Sequence, residues 1–232
     1  MVPLRVISEN LGANVNWDNS QITITKNDMQ VVLKLNSNKV VKNGETELLD
    51  VKPYVRKNRT FVPMRFLAET FGCDVNYKNG IVTVDTKPFV IDGKEVKVVQ
   101  NIAYATIGGV ARHIKGNSYN EAIYKTFIEN KGSKVETPSD YSYSFFKIPD
   151  GGYYLVGQFD FLDQAENSIV RFDIYTLLQE SGEPTNKPLH LIHMPAEDQW
   201  YLFNETGSQT VFQLFNNALE NGFVKVIEST IP

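Results

Sequence analysis

The chain has 232 residues and a net charge of −4, with 42% hydrophobic and 22% charged residues, a composition typical of a folded protein with one or two domains. No run of apolar residues approaches the roughly 18 that a membrane helix needs, so we expect no membrane span. The single cysteine, Cys73, excludes an intramolecular disulfide and a multi-cysteine zinc site.

The charge is unevenly distributed along the chain. Residues 1–87 contain 12 lysines and arginines against 9 acidic residues, whereas residues 88–232 contain 11 against 18. Because phosphate contacts need a basic surface, the acidic second part is a poor candidate for binding DNA or RNA. We therefore expect no nucleic acid partner.

Residues 2–24 and 62–84 are similar at a constant offset of 60. Nine positions are identical between the two segments. In the first segment they are Val2, Pro3, Arg5, Glu9, Gly12, Val15, Asn16, Asn19 and Thr23. Identities at one fixed offset indicate duplication of a supersecondary unit. We interpret the repeats as spanning about residues 2–26 and 29–87.

Each segment predicts a short helix followed by a hairpin. Proline suits the first helical position and Gly12 or Gly72 the helix end, with an apolar stripe at helical spacing between them. Alternating strand patterns with a turn follow each glycine. Further strands before the second helix have no counterpart in the first segment, so we expect the natural protein to extend upstream of Met1.

These motifs resemble the copper amine oxidase N-terminal-like domain, a repeat module of exported proteins from Gram-positive-type bacteria. Residues 58–65 read Asn-Arg-Thr-Phe-Val-Pro-Met-Arg, and Val2-Pro3-Leu4-Arg5 repeats the core of that motif. The resemblance covers residues 1–87 and implies an extracellular or cell-envelope location. It implies no oxidase activity, because the chain lacks the copper-binding His-x-His pair and the Asn-Tyr-Asp/Glu run that forms the quinone.

Little in the sequence suggests catalysis. The histidines are His113, His190 and His193, and the last two, three apart on a predicted strand, point to opposite faces. We therefore expect no metal site, no cofactor and no enzyme activity. In the first part, Arg56, Lys57 and Arg59 cluster at a predicted turn and are candidates for contact with an anionic polymer.

The remaining chain predicts an antiparallel sheet with helices packed on one face, so the fold class is α+β. The predicted helices are 103–112, 118–130 and 207–221, and the predicted strands are 141–148, 152–161, 168–178, 188–194, 198–204 and 223–227. Of the 27 aromatic residues, 21 lie in residues 88–232. Tyr153, Tyr154, Trp200 and Tyr201 are candidates for an exposed aromatic surface, although we favour the interpretation that the helices and the first domain cover this face.

Residues 89–98 predict a further hairpin through an Asp92-Gly93 turn. Its similarity to residues 39–47 suggests that it replaces the strands missing from the first repeat and pairs with residues 14–24. We therefore assign residues 1–98 to the repeat module and residues 99–232 to an α+β domain.

The resulting hypothesis is a non-catalytic envelope protein whose stalk-like repeats present a C-terminal domain to a cell-wall polymer or surface protein. Two alternatives remain open. One is a hydrolase of wall glycans or peptides that uses carboxylates such as Asp140, Asp160, Asp163, Glu166 and Asp173. The other is a purely structural assembly module.

Overall fold

A computed structural model describes residues 1–26, 29–105, 108–178 and 187–230 of the chain. The chain divides into two compact units, residues 1–87 and residues 88–232. Both units combine helices with antiparallel strands, which confirms the predicted α+β class.

The first unit contains two short helices among ten strands. In chain order these are β1 (Val2–Pro3), α1 (Leu4–Asn10), β2 (Asn14–Asp18), β3 (Gln21–Lys26), β4 (Met29–Lys34), β5 (Lys39–Lys42), β6 (Glu45–Leu48), β7 (Tyr54–Arg56), β8 (Arg59–Val62), α2 (Met64–Thr70), β9 (Asp74–Lys78) and β10 (Ile81–Asp85). Strands β2 to β6 form one meandering sheet, β1, β8 and β7 form a second, and β9 and β10 form a hairpin. The predicted helix and hairpin therefore occur in both similar segments.

Both helices end at the predicted glycine. Gly72 has a φ of +73°, which a left-handed helix end requires, and the amide of Cys73 returns to the carbonyl of Ala68 at 2.8 Å. The amide of Ala13 donates to Ser8 over the same distance in the first segment. This capping stops each helix after two turns and directs the chain into its hairpin.

The first unit has one main hydrophobic core and a smaller cluster around Leu11, Ala68 and Cys73. Ile22 and Ile24 on β3 and Val31 and Leu33 on β4 are fully buried on the inner face of the five-stranded sheet. They pack with apolar side chains from both helices and from β8, including Leu4, Leu67 and Val62. The two similar segments thus contribute to one hydrophobic cluster and do not form separate domains.

The second unit is built on one large sheet. Its elements are β11 (Val90–Ile91), β12 (Lys94–Ala105), β13 (Gly108–Ile114), α3 (Asn117–Asn130), β14 (Lys131–Val135), β15 (Tyr141–Ser142), a 3-10 turn (Phe145–Lys147), β16 (Tyr153–Asp163), β17 (Ser168–Leu177), β18 (His190–Met194), β19 (Gln199–Phe203), α4 (Glu205–Glu220) and β20 (Val224–Ser229). The main strand order is β14-β19-β18-β17-β16-β12-β13-β20, with β11 beside β12 and β15 beside β16.

Both long helices contribute to the core on one face of this sheet, as predicted. Ile123 and Phe127 of α3 and Val211 and Ala218 of α4 are fully buried in the same cluster as Phe159, Phe172 and Ile192 of the strands. The Phe127 ring stacks on Phe172 at 4.4 Å between centroids. The opposite face of the sheet carries no long helix among the described residues.

Two predictions for this unit were wrong in detail, and one strand was missed. In the segment predicted as a helix over 103–112, the described residues belong to β12 and β13, which pair with each other, and β13 also pairs with β20. Residues 106 and 107 lie outside the described residues. Pairing with neighbouring strands satisfies the backbone of this segment in the extended form and outweighs its local helical pattern, since residues 103–105 pair with β13 and residues 110–112 pair with both β12 and β20. The strand predicted over 141–148 is limited to β15 followed by the 3-10 turn, and β14 was not predicted.

The proposed pairing of residues 89–98 with the first unit is also wrong. Val90 and Ile91 pair with Glu95 and Lys94 in a local hairpin, and β12 continues into the large sheet beside β16. The role expected for this hairpin is filled by β4, which pairs directly with β3. Residues 88–98 therefore belong to the second unit.

Among the described residues, no helix is long and apolar enough to cross a membrane.

The α3 packing gives a direct stability test. Phe127→Ala removes a fully buried ring that also lies 5.6 Å from the rings of Phe159 and Phe203, and we expect the free energy of unfolding to fall by about 3–5 kcal/mol. Chemical denaturation followed by fluorescence measures this loss. The neighbouring Ile128 is 42% exposed, so Ile128→Ala is the matched control and should cost less than about 1 kcal/mol. Equal losses for the two variants would contradict this account of the core.

Candidate functional site

A groove lies on the face of the large sheet opposite the helices. It has a volume of about 620 Å³ and is formed by β12, β13, β16, the end of β20 and the segment that follows β15. Its lining residues are Tyr104, Gly108, Gly109, Tyr143, Ser144, Phe146, Tyr154, Leu155, Val156 and Thr230. All of them belong to the second unit.

Exposed aromatic rings line the groove. Tyr104 is 47% exposed, Tyr143 is 62% exposed and Phe146 is 72% exposed. The Tyr104 and Tyr143 rings lie 6.1 Å apart and are tilted by 53°. Aromatic rings with this much accessible surface, gathered around one concavity, favour contact with a ligand that offers apolar faces.

Hydrogen bonds fix the wall of the groove that β12 provides. The Tyr104 hydroxyl donates to Gln158 Oε1 at 3.0 Å, and Gln158 is only 5% exposed. Directly opposite Tyr104 in the sheet, Gly109 donates its amide to the Thr230 hydroxyl at 2.9 Å. These bonds hold Tyr104 and the start of β13 in place before any ligand arrives.

An ion pair lies beside this network. Arg171 donates two hydrogen bonds to the carboxylate of Asp173, at 2.7 and 2.9 Å, and the Asp173 side chain is 4% exposed. In the register of the sheet, Asp173 is directly opposite Gln158 and Arg171 is opposite Asp160. A bidentate pair of this kind satisfies a buried carboxylate that would otherwise destabilise the fold.

Burial is the largest cause of the pKa shifts of the neighbouring Asp160 and Tyr175. It raises the pKa of Asp160, an effect opposed by the hydrogen bond from the Ser168 hydroxyl and by the charge of Arg171. Burial, assisted by the charge of Asp173, raises the pKa of Tyr175 to about 12. The Tyr175 phenol therefore stays neutral at physiological pH.

A β-bulge places the polar side chains on this face. The register between β16 and β17 shifts between Leu155 and Gly157. Tyr153 and Leu155 precede the bulge on the face away from the helices, and after it the alternation is reversed, so Gln158 also lies on that face while Phe159 enters the helix-covered core. Strict alternation would have directed Gln158 toward the helices.

The predicted aromatic surface was largely wrong. Tyr153, Trp200 and Tyr201 are 4%, 2% and 8% exposed, so they are core residues. Trp200 is covered by Tyr141, whose ring centroid is 4.9 Å away, and by the stacked ring of His193 at 4.6 Å, whereas Tyr201 belongs to the helix-facing core. Tyr154 is partly buried and does line the groove.

The exposed rings were missed because they lie in segments whose structure was mispredicted. Tyr104 was assigned to a helix, and Tyr143 and Phe146 to a continuous strand. The informative signal is the alternation of aromatic residues with serine from Tyr141 to Ser144, followed by Pro149 and two glycines, which is typical of an exposed segment.

The structure brings the predicted basic residues together. Arg56 and Arg59 pair directly across the β7–β8 hairpin, and Lys57 and Asn58 form its turn with φ values of 50° and 56°. Arg56, Lys57 and Arg59 are all exposed and, together with Phe61, line a shallow depression of about 420 Å³. We call these three residues the basic hairpin.

The described residues show no group of three or more His, Cys, Asp or Glu side chains that could hold a metal ion. His190 shares a 2.9 Å hydrogen bond with the Thr176 hydroxyl, and His193 lies 3.2 Å from Asp198.

Of the carboxylates considered for hydrolysis, Asp163 accepts the amides of its own turn and Glu166 pairs with Lys97 at 2.7 Å. Asp160 and Asp173 are brought close to Arg171.

Comparison with known proteins characterises the first unit. Residues 1–86 match the family model of the copper amine oxidase N-terminal domain, which confirms the predicted resemblance. No curated protein and no solved structure gives a significant match to the chain. The family match thus covers a non-catalytic module, and it ends where the second unit begins.

Proposed function

We propose that this chain is an exported, non-catalytic cell-envelope protein whose second unit binds a cell-wall glycan in the aromatic groove. In this proposal the first unit is a spacer that presents the second unit. The observation that carries the proposal is the concentration of the exposed rings of Tyr104, Tyr143 and Phe146 around one groove. The envelope location is inferred from the resemblance of the first unit to modules of exported proteins.

The chemistry of the groove favours a neutral carbohydrate. None of the described lining residues is charged, so the groove offers no counter-ion for a strongly anionic ligand. The rings provide flat surfaces on which the C–H faces of sugars stack, and the hydroxyls of Tyr143 and Ser144 provide hydrogen-bonding groups for sugar hydroxyls. A glycan chain lying along the open groove would meet both.

The basic hairpin supports a second contact with the envelope. Its three cations are exposed on a tight turn and lie close to the stacked rings of Tyr54 and Phe61, whose centroids are 5.4 Å apart. Exposed cations of this kind attract polyanions through long-range electrostatics. We propose that the first unit contacts phosphate-containing wall polymers here, in addition to acting as a spacer.

The groove is tested by removing two of its rings. In the variant Tyr143→Ala/Phe146→Ala, we expect affinity for soluble wall glycan chains to fall at least about tenfold, since two lost ring contacts are worth roughly 1–3 kcal/mol. Isothermal titration calorimetry measures the change. Tyr77, which is 69% exposed in the first unit, supplies the control Tyr77→Ala, which should bind as the wild type does. An unchanged affinity for the double variant would exclude the groove.

The basic hairpin is tested by charge removal. Arg56→Gln/Lys57→Gln/Arg59→Gln should reduce retention on purified teichoic acid, and the difference from the wild type should disappear at high salt as the attraction is screened. Retention against a salt gradient is the measurement. The control Lys39→Gln/Lys52→Gln/Lys78→Gln removes the same charge from three exposed lysines of the same unit. Equal losses in the two variants would show that only net charge matters.

The hydrolase alternative rests on Asp160, a carboxyl with a raised pKa beside Asp173. A glycosidase would release new reducing ends from wall glycans, and Asp160→Asn would abolish this release because the residue would no longer supply or accept a proton. We expect no release above background from the wild-type chain, measured by a reducing-end assay. Release that disappears in Asp160→Asn would overturn the non-catalytic assignment.

A further inference from the structure

The second hairpin of the first unit leaves open a strand edge that is covered in the first hairpin. At the offset of 60, Ile22 and Ile24 of β3 correspond to Val82 and Val84 of β10. Ile22 and Ile24 are both 0% exposed, whereas Val82 is 44% exposed. The same position in two similar hairpins is thus core in one and surface in the other.

The two hairpins also differ at their outer edges, and only the first is covered there by another described strand, β4. It pairs with the outer edge of β3 in antiparallel register, with Leu33 opposite Ile22 and Val31 opposite Ile24. β10 pairs with β9 on one side, and no described strand pairs with its other side. The first hairpin therefore shows which kind of strand pairs at the equivalent edge. It is an antiparallel strand with branched apolar residues at alternate positions.

The open edge has no lysine, proline or bulge that would protect it, and its short length is its main protective feature. Ile81 is 67% exposed, and the only charged residue of β10 is Asp85 at its end. Edge strands of soluble proteins normally carry lysine, proline or a bulge that prevents pairing with another chain. The edge at β10 is thus suited to strand addition.

We propose that β10 of a second copy of this chain occupies this edge, antiparallel and related by a two-fold axis at Thr83. In that register Val82 lies opposite Val84 of the other copy and Ile81 lies opposite its Asp85, so no like charges oppose each other. β10 then supplies the alternation of branched residues that β4 supplies to β3. This proposal is independent of any glycan ligand.

The first unit already associates similar strands in this way. β1 and β8 meet at one equivalent position, because Val2 corresponds to Val62 at the offset of 60, and the two strands pair antiparallel with Val2 directly opposite Val62. A two-fold pairing of equivalent strands is therefore compatible with the geometry of this module. Because β10 is only five residues long, the dimer should be concentration-dependent, with a dissociation constant in about the micromolar range.

Disulfide trapping tests the register. Directly opposed residues of an antiparallel pair have Cα atoms about 4.5–5.5 Å apart, which a disulfide spans. In a Cys73→Ala background, Thr83→Cys should give a covalent dimer on mild oxidation of the full chain. Cys73 corresponds to Ala13, so the background substitution suits its buried position. Thr23→Cys, the equivalent position flanked on both sides by β2 and β4, is the control and should remain monomeric.

Sedimentation equilibrium tests the association without a cross-link. The wild-type chain should dimerise with increasing concentration, and Val82→Lys should shift the dissociation constant at least tenfold upward because it places a charge at the core position of the pair. Ile227→Lys, at a 47% exposed position on the edge strand β20, should leave it unchanged. A wild-type chain that stays monomeric at about 100 µM, or a dimer unaffected by Val82→Lys, would overturn the proposal.

Discussion

The packing of α3 and α4 on one face of the large sheet is the constraint on which the second unit depends. The stacked rings of Phe127 and Phe172, together with Phe159 and Phe203, gather the largest apolar side chains of both helix and strands on that face. Burial of this area provides the main driving force for folding of the unit. Because the helices occupy only one face, part of the other face stays open, and there the strands and the short segment after β15 form the groove.

The opposite face is divided between a second small core and a polar region. Near β18 and β19 it is closed by Trp200, Tyr175 and Leu191, onto which Tyr141 packs. Toward β12 it changes to Gln158 and the pair of Arg171 and Asp173. The bulge in β16 produces this change within one strand, since it reverses which side chains face the helices. One backbone irregularity therefore separates the region that stabilises the sheet from the region available to a ligand.

The sequence predicted what local patterns determine. Pro63 and Gly72 bound α2 as expected, and the apolar periodicity of residues 118–130 correctly predicted α3. Residues 103–112 were mispredicted because pairing with neighbouring strands decided the structure of the described residues in this segment, and such pairing is not encoded locally. The aromatic site was mispredicted for a related reason. Trp200 and Tyr143 are equally plausible surface residues in sequence, and only the path of the chain after β15 determines that the first is covered and the second exposed.

The polar region beside the groove is better suited to holding a shape than to transferring protons. Both hydrogen bonds from Arg171 end on Asp173, and Gln158 accepts the Tyr104 hydroxyl, so these side chains have their hydrogen-bonding partners within the protein. A general acid must be able to reach and exchange a proton with its substrate, whereas a binding surface gains affinity when its contact groups are ordered in advance. Tyr104 is fixed through Gln158 while its ring stays accessible. This combination of a restrained hydroxyl and an exposed ring favours recognition of a ligand over its chemical conversion.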